Sequence, residues 1–328
     1  MHPQFLSLLC CPKTFNSLHL DSDETASNGM VIRGKLTSQT GTVYPIIKGI
    51  PRFVNEEHYA SSFGYEWNRW PRVQFESENS GKPMAGHTLR MWEAITELGD
   101  QTGKSVVEFG CGPGRFLDIV RKKGGQAIGI DLSLAAETAR QNFSEDSDVL
   151  IVQGDLSSPP FRNQVFDDGY TIGVLHHTPS PVEGLKSLTR TVKTGGQIAV
   201  SVYPRGEFYD FKSVARWRAM THHLKGILGY KPAIFYSLFS AYVFSPLISK
   251  TKHIAGIRGL FYRLERNWLP ALAIPDAQWR VLDIFDAITP TIATTHSGDE
   301  VRAWMVEAGC TNIHATKWGT TSLVGIKT

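Results

Sequence analysis

The chain has 328 residues, a net charge of +3 and four cysteines, and 41% of its residues are hydrophobic. That length allows two modest domains or one large domain with additions, and the composition is that of an ordinary globular protein. So small a net charge gives no argument for nucleic acid, and four cysteines, two of them adjacent, make no disulfide framework, so a reducing, cytoplasmic setting is expected. The N-terminus lacks a basic start followed by an apolar run, so no signal peptide is expected. No stretch reaches the roughly 20 apolar residues of a spanning helix.

Residues 1–58 read as a small separate unit. Phe5 to Pro12 leads into an acidic, serine-rich stretch, Asp21 to Asn28, which is expected to be a loop. Val31–Leu36 and Val43–Ile47 are strand-like, with Gly41 as the turn between them. Leu9 to Pro12 and Tyr44 to Pro51 resemble the zinc-ribbon-like domain that serves some methyltransferases as an activator subunit and is fused to the front of others. Metal-binding relatives carry two Cys-x-x-Cys pairs in these segments. Here the pairs read Cys11-Pro12-Lys13-Thr14 and Thr37-Ser38-Gln39-Thr40, so three of the four ligand positions are not cysteine. A structural zinc wants four thiolate or imidazole ligands. No metal is expected, and Cys10 and Cys11 read as packing residues.

Residues 59–103 read as joining helices. Phe63 to Trp70 is dense in aromatics, which either pack between the two units or place Tyr65, Trp67 or Arg69 at the mouth of a ligand site. Leu89, Trp92, Ile95 and Leu98 fall on one helical face.

A core is expected over residues 104–203. Val106, Val107 and Phe109 form a short buried strand, followed at once by Gly110, Gly112 and Gly114, a helix from Arg115, and a second strand ending in Asp131. The glycines let the backbone turn tightly against a ligand, the helix start offers free N–H groups, and the terminal acid can accept from a ribose diol. This is a nucleoside-binding unit. A dinucleotide loop more often reads G-x-G-x-x-G. The stretch Glu108-Phe109-Gly110-Cys111-Gly112-Pro113-Gly114 instead resembles the first motif of class I S-adenosylmethionine-dependent methyltransferases. An acid beside the glycines is awkward opposite a pyrophosphate but suits the cationic end of S-adenosylmethionine. Ser133 is a plausible cap for a helix through Phe143. A third strand, Asp148 to Asp155, again ends in an acid; alone, Asp155 reads equally as a turn residue, but the resemblance places it and Leu156 against adenine. The resemblance thus implies a cofactor set of Glu108, Gly110, Cys111, Gly112, Gly114, Asp131, Leu132, Asp155, Leu156 and Val174. A fourth strand over Val165–Val174, a helix over Pro181–Val192 and a fifth strand over Gln197–Tyr203 follow.

Residues 204–293 break the strand–helix alternation and read as a helical cap of unreadable fold, inserted after the fifth strand. Between Arg205 and Arg266 there are 11 Lys or Arg and three acids, so a local charge of +8 stands against −5 for the rest. The cap has either a solvated basic face or a basic, aromatic pocket or membrane-facing surface. Such a pocket would take an anionic acceptor. Ala233–Ile248 is apolar enough to lie on a bilayer, but it is short and holds Pro246, so peripheral contact is favoured over spanning. In residues 294–328, Ser297 and Glu300 match a capping box, Gly309 ends the helix, and Asn312–Lys317 and Thr321–Lys327 read as strands. A closing helix and strand pair resembles the methyltransferase fold and not a dinucleotide dehydrogenase. The expected fold class is α/β: a doubly wound, seven-stranded, Rossmann-like methyltransferase sheet with a β-rich N-terminal ribbon and a helical cap.

The resemblance implies a transferase using S-adenosyl-L-methionine. Methyl transfer needs an acceptor held in line and kept from water, and a hydroxyl or acidic carbon also needs a base. His176, His177 and His296 are the candidate bases, each also readable as a structural histidine. After the fourth strand, Ile172-Gly173-Val174-Leu175 departs from the Asn/Asp-Pro-Pro pattern of exocyclic-amine methylation. O- or C-methylation of a small molecule, a sugar or a lipid-linked acceptor is therefore expected. An RNA-modifying enzyme, a non-catalytic cofactor-binding adaptor and a nicotinamide-dependent dehydrogenase are the alternatives.

Overall fold

The computed structural model describes residues 1–54, 59–251, 253–254 and 257–328. The expected boundary at residue 58 and the basic Lys252 lie outside the described residues. The N-terminal sheet is antiparallel, with strands β1 (Leu18–Thr25), β2 (Val31–Ser38), β3 (Val43–Ile47) and β4 (Ile50–Pro51) in sequential order. β1 corrects the expectation of a loop at Asp21. It is an edge strand whose residues are mostly exposed, so polar side chains cost nothing there. Cys10 and Cys11 are buried, and Cys11 Sγ lies 3.1 Å from the Tyr44 hydroxyl. Among the described residues no three His, Cys, Asp or Glu side chains converge as metal ligands.

Three helices follow: α1 (Ser61–Arg69), α2 (Glu76–Asn79) and α3 (His87–Thr96). The main sheet then forms from β5 (Ser105–Phe109), β6 (Gln126–Asp131), β7 (Val149–Gln153), β8 (Asp168–Ile172), β9 (Gln197–Ser201), β10 (Cys310–Thr316) and β11 (Gly319–Lys327). Its seven strands lie in the order β10-β11-β9-β8-β5-β6-β7. β5 to β9 run parallel; β11 pairs antiparallel with both β9 and β10. The crossover helices are α4 (Arg115–Lys122), α5 (Ala135–Asn142) and α6 (Pro181–Thr191). Successive strand residues point to opposite faces. Val107, Ile128 and Leu150 therefore join one apolar cluster, and Val106, Ala127 and Val149 the other.

The N-terminal sheet packs on the β7 edge. Phe5, Leu9, Leu36 and Ile46 share one cluster with Val107, Ile130 and Val152. Arg52 donates to Glu137 at 2.6 Å and to Gln153 at 2.6 Å, and Lys48 reaches Glu137 at 2.7 Å.

The cap comprises α7 (Lys212–Leu228), α8 (Lys231–Phe239), a π turn over Ser240–Phe244, α9 (Ser245–Thr251), α10 (Ile257–Asn267) and α11 (Ala277–Ile288). The run Lys231–Thr251 is a helix of 21 residues, long and apolar enough to cross a membrane by length and composition alone. The expectation that no such stretch exists is corrected to that extent: Pro232 and Pro246 sit within it without breaking it. Pro232 lies in the first turn, where its missing N–H costs nothing, and Pro246 begins the turn after the π bulge. Asp276 caps α11 by accepting from the Gln278 and Trp279 backbone N–H groups. The expected capping box is present on α12 (Gly298–Glu307): Ser297 and Glu300 each accept the other's backbone N–H.

Candidate active site

The glycine turn crosses the end of β6. Gly110 and Cys111 donate their N–H groups to Ile130 O at 2.7 and 3.1 Å. Gly110, Gly112 and Gly114 all have positive φ, at 79°, 52° and 90°, the region that L side chains rarely adopt. At Gly110 a Cβ would also stand 2.4 Å from the Val174 methyls. Asp131 fastens the turn: Oδ2 accepts Gly112 N–H at 2.9 Å, and Oδ1 accepts Ser133 N–H at 2.9 Å and its hydroxyl at 2.8 Å. A carboxylate accepts about four hydrogen bonds. At least three are taken inside the protein, so the turn itself uses much of the capacity expected to serve a ribose diol.

These residues line a cavity of 430 Å³. That is within the ordinary range for a small-molecule site, roughly 300–1,000 Å³. Glu108, Gly110, Cys111, Gly112, Asp131, Leu132, Leu156 and Val174 all face it. Gly114 and Asp155 are not among the lining residues. Gly114 carries the helix start, and Asp155 Oδ1 accepts from Ser157 N–H at 2.8 Å and its hydroxyl at 2.7 Å, a turn-closing role. Trp67 lines the cavity, while Tyr65 and Arg69 belong to a separate shallow groove with Lys225 and Tyr230.

The three histidines part company. His177 lines the cavity; His176 and His296 do not. His177 Nδ1 lies 2.8 Å from Ile292 O, so it carries the proton and donates, and Nε2 keeps a lone pair with no partner. Burial holds the His177 pKa below the usual histidine value, against the opposing pull of Asp286. His176 is fully buried between His177 and Tyr203, neither ring nitrogen has a partner, and burial pushes its pKa far down. His296 is engaged by Glu300 at 3.3 Å and by Thr294 at 2.8 Å.

The rest of the lining overturns the expectation of a basic pocket. Arg115 is the sole Lys or Arg among the lining residues, whereas Glu66, Glu108, Asp131, Glu207, Asp283 and Asp286 all face the cavity. The cap contributes Trp279, Leu282, Asp283 and Asp286 from one face of α11, at i, i+3, i+4 and i+7. That spacing of two acids in an apolar helix is the signal the sequence offered for them. Arg115 donates to Gln74 Oε1, and Gln74 Nε2 donates to Asp283 Oδ1 at 3.2 Å. Tyr203 donates to Asp286 and stacks on Tyr209 at 3.4 Å. Burial pushes Asp283 up from 3.8 to about 7, partly opposed by Arg115. Glu66, on α1, is 0% exposed, and neither carboxyl oxygen has a partner. Burial, with Asp286 and Asp283 adding to it, raises its pKa well above normal.

S-adenosylmethionine fits this donor set. Glu108 would face its ammonium, Arg115 its carboxylate, and Leu132 and Leu156 would form apolar walls for its ring. A pyrophosphate would face six acids across the same cavity.

Residues 107–200 match the family model of a methyltransferase domain. The chain is 28% identical over 120 residues to the methyltransferase YdaC of Bacillus subtilis, covering 36% of this chain and 66% of that protein. A ubiquinone biosynthesis O-methyltransferase of Alkalilimnicola ehrlichii is 24% identical over 153 residues, covering 45% and 60%. A tRNA U34 carboxymethyltransferase of Colwellia psychrerythraea is 32% identical over 114 residues, covering 33% and 35%. The chain thus spans between a third and two thirds of these relatives' lengths. Among solved structures, a Haloferax volcanii complex of the Trm112 methyltransferase activator with a methyltransferase aligns at a TM-score of 0.44 and 16% identity, covering 80% of this chain and 96% of that one. The family that the match shows is that of a methyltransferase domain, over residues 107–200.

Proposed function

We propose that the whole chain is an S-adenosylmethionine-dependent methyltransferase. It acts at a hydroxyl or acidic carbon of a neutral or cationic acceptor, which enters between the glycine turn and α11. The acceptor is a small molecule, a sugar or a lipid-linked group. The observation that carries the reading is the cavity lined by both the glycine turn and His177, whose Nε2 has no partner in the protein.

The cofactor supplies a methyl on a sulfonium, an excellent leaving group. Asp131, Leu132 and Leu156 would hold its nucleoside, and Glu108 with Arg115 its amino-acid end. His177 Nε2 accepts the acceptor's proton; the carbonyl of Ile292 holds the opposite nitrogen as a donor and so fixes the tautomer. Phe63 stands against the His177 ring at 4.9 Å and keeps it in place. Glu66, whose carboxyl oxygens have no partner, and the buried Asp283 beside it favour acceptors that bring hydrogen-bond donors or a positive charge. An anionic acceptor would meet like charge.

The N-terminal sheet is, in the same proposal, a built-in counterpart of the ribbon-like activator subunits. Its support is the packing on the β7 edge through Arg52 and Glu137. Four thiols that stay unpaired support a cytoplasmic location.

Isothermal calorimetry with S-adenosylhomocysteine tests the reading. The intact chain should bind it, and transfer of a labelled methyl to a panel of hydroxylated acceptors should follow. Absence of binding by the intact chain would overturn the proposal; binding without transfer to any acceptor would make the chain an adaptor.

A further inference from the structure

The cap's outer layer is built inside out. Over residues 231–251 the side chains turned toward the protein are Ala233, Tyr236, Ser237, Ser240, Ala241, Phe244 and Ser245. Three of these seven are serines, and the Ser237 and Ser245 hydroxyls have no partner. The side chains turned to solvent are Phe235, Leu238, Phe239, Tyr242, Val243 and Leu247. Phe235 is 74% exposed and Tyr242 56% exposed. A helix in water places its large apolar residues on the protein side. This one does the reverse, and the same exposure continues at Ile227, Leu260, Tyr262 and Trp268 on the neighbouring α7, α10 and the segment after it. Isolated exposed hydrophobics need no explanation, but so many on elements that pack on one another mark a contact surface.

The charge on this layer says what covers it. From Phe211 to Pro275 the sequence contains ten Lys or Arg and a single, half-buried acid, Glu265; Arg218 turns inward to the Ala287 carbonyl, whereas Arg216, Lys231, Lys250, Arg263 and Arg266 are among those exposed. Lys231 and Lys250 bracket the apolar helix. Arg216 lies over the Trp268 ring at 4.2 Å, and Arg266 lies over Tyr262 at 5.4 Å. Exposed aromatic rings carrying guanidinium groups suit the headgroup level of a bilayer, where an amphipathic ring sits with its polar edge in water. A second copy of the chain would bring the same positive charge to the interface and be repelled. None of these basic residues lines the active-site cavity.

We propose that this face of the cap docks on a bilayer surface rich in anionic lipid, with the Lys231–Thr251 helix lying flat in the interface. The helix is held against the protein rather than free to cross. Tyr236 Oη and Ser240 Oγ donate to Pro270 O at 2.9 and 2.8 Å, and Arg280 Nε donates to Ala241 O at 2.9 Å. α8 packs on α11, whose other side lines the chamber. Docking therefore brings the chamber's helical wall next to the membrane. The inference is independent of the reaction chemistry.

Flotation of the full chain with vesicles tests it. The protein is expected to float with phosphatidylcholine vesicles containing phosphatidylglycerol, and at least about fivefold less with phosphatidylcholine alone or at high salt. The exposed triple variant Phe235→Ser, Phe239→Ser, Val243→Ser should lose about tenfold in bound fraction while unfolding at the wild-type temperature. If that variant folds poorly, Lys231→Glu with Lys250→Glu must weaken flotation instead. Failure of the wild type to float with either vesicle, or flotation that neither variant changes, overturns the proposal. So does a concentration-dependent dimer by light scattering that the triple variant splits without any flotation, since a second copy then covers the face. Resistance of membrane-bound protein to alkaline carbonate extraction would replace docking by spanning.

Discussion

α11 turns Trp279, Leu282, Asp283 and Asp286 toward the chamber, whereas Lys231–Thr251, packed on the far side of α11, turns Phe235, Leu238 and Val243 toward solvent. The inner lining is acidic and the outer layer is basic, though both belong to one insertion. The positive charge of the Arg205–Arg266 stretch belongs to the outer layer and leaves out Asp283 and Asp286 of α11. Helical spacing identifies a face but does not say which way it points, and here the apolar face points outward. The lesson is that net charge over a segment describes its surface and says little about the pocket it encloses.

The largest separation between the two regions is expected from chemistry on the inner side. His177→Gln should lower kcat about 10²–10⁴-fold, the range for a lost general base, with cofactor affinity and vesicle flotation unchanged. His176→Gln should cost stability instead, because His176 meets no cavity. The pH profile carries a sign. Burial depresses the His177 pKa, so the neutral base persists to lower pH than an ordinary histidine, and the acidic limb of kcat should fall below about 6.5. A limb above that value would remove His177 from the role.

Next in size is the acidic chamber's effect on stability. Asp283 ionises near 3.8 when unfolded and near 7 when folded. Between those values the folded state holds the extra proton, so stability falls as pH rises from about 4 to 7 and is level above. One fully shifted group of this kind changes stability by about 4 kcal/mol. Chemical denaturation across that window measures it. Glu66→Gln should flatten the slope, since Glu66 is shifted in the same direction. Smaller again is Asp131→Ala. It removes one contact to the ribose and loosens Gly112, and should weaken S-adenosylhomocysteine binding by about 10–100-fold in calorimetry, or roughly 1.5–3 kcal/mol.

Legibility followed how local each feature is. The glycine turn was readable because positive φ at Gly110, Gly112 and Gly114 is a local demand of the backbone, and because Glu108 and Asp131 end neighbouring strands. The closing strand pair and the Ser297 capping box were readable for the same reason. β1 was not, since an edge strand tolerates the polar residues of Asp21–Thr25 that also suit a loop. Glu66 was hidden among aromatics whose packing drew attention to Tyr65 and Arg69 instead. Asp283 and Asp286 become site residues only when α11 folds back over the strand ends, a tertiary fact with no local signature beyond their spacing. The split among the histidines was likewise invisible: His176 and His177 are adjacent in sequence, and only the loop that brings Ile292 beside His177 distinguishes them.

The smallest expected effect is the most diagnostic for the outer layer. Replacing an exposed apolar residue by a polar one on an ordinary surface changes stability by about ±0.5 kcal/mol or less. Phe235, 74% exposed, makes few contacts for the folded state to lose. Phe235→Ser should therefore leave the unfolding midpoint within about 1–2 °C of wild type, with methyl transfer to a soluble acceptor unchanged. A core phenylalanine such as Phe285, fully buried against Tyr65, Trp70 and Tyr230, should lose about 3–5 kcal/mol on truncation to alanine. Thermal scans of the two variants side by side measure the contrast. If Phe235→Ser destabilised the chain as Phe285→Ala does, the outer helix would be packed against the protein by that face, and the distinction between an inner and an outer side of the cap would fail.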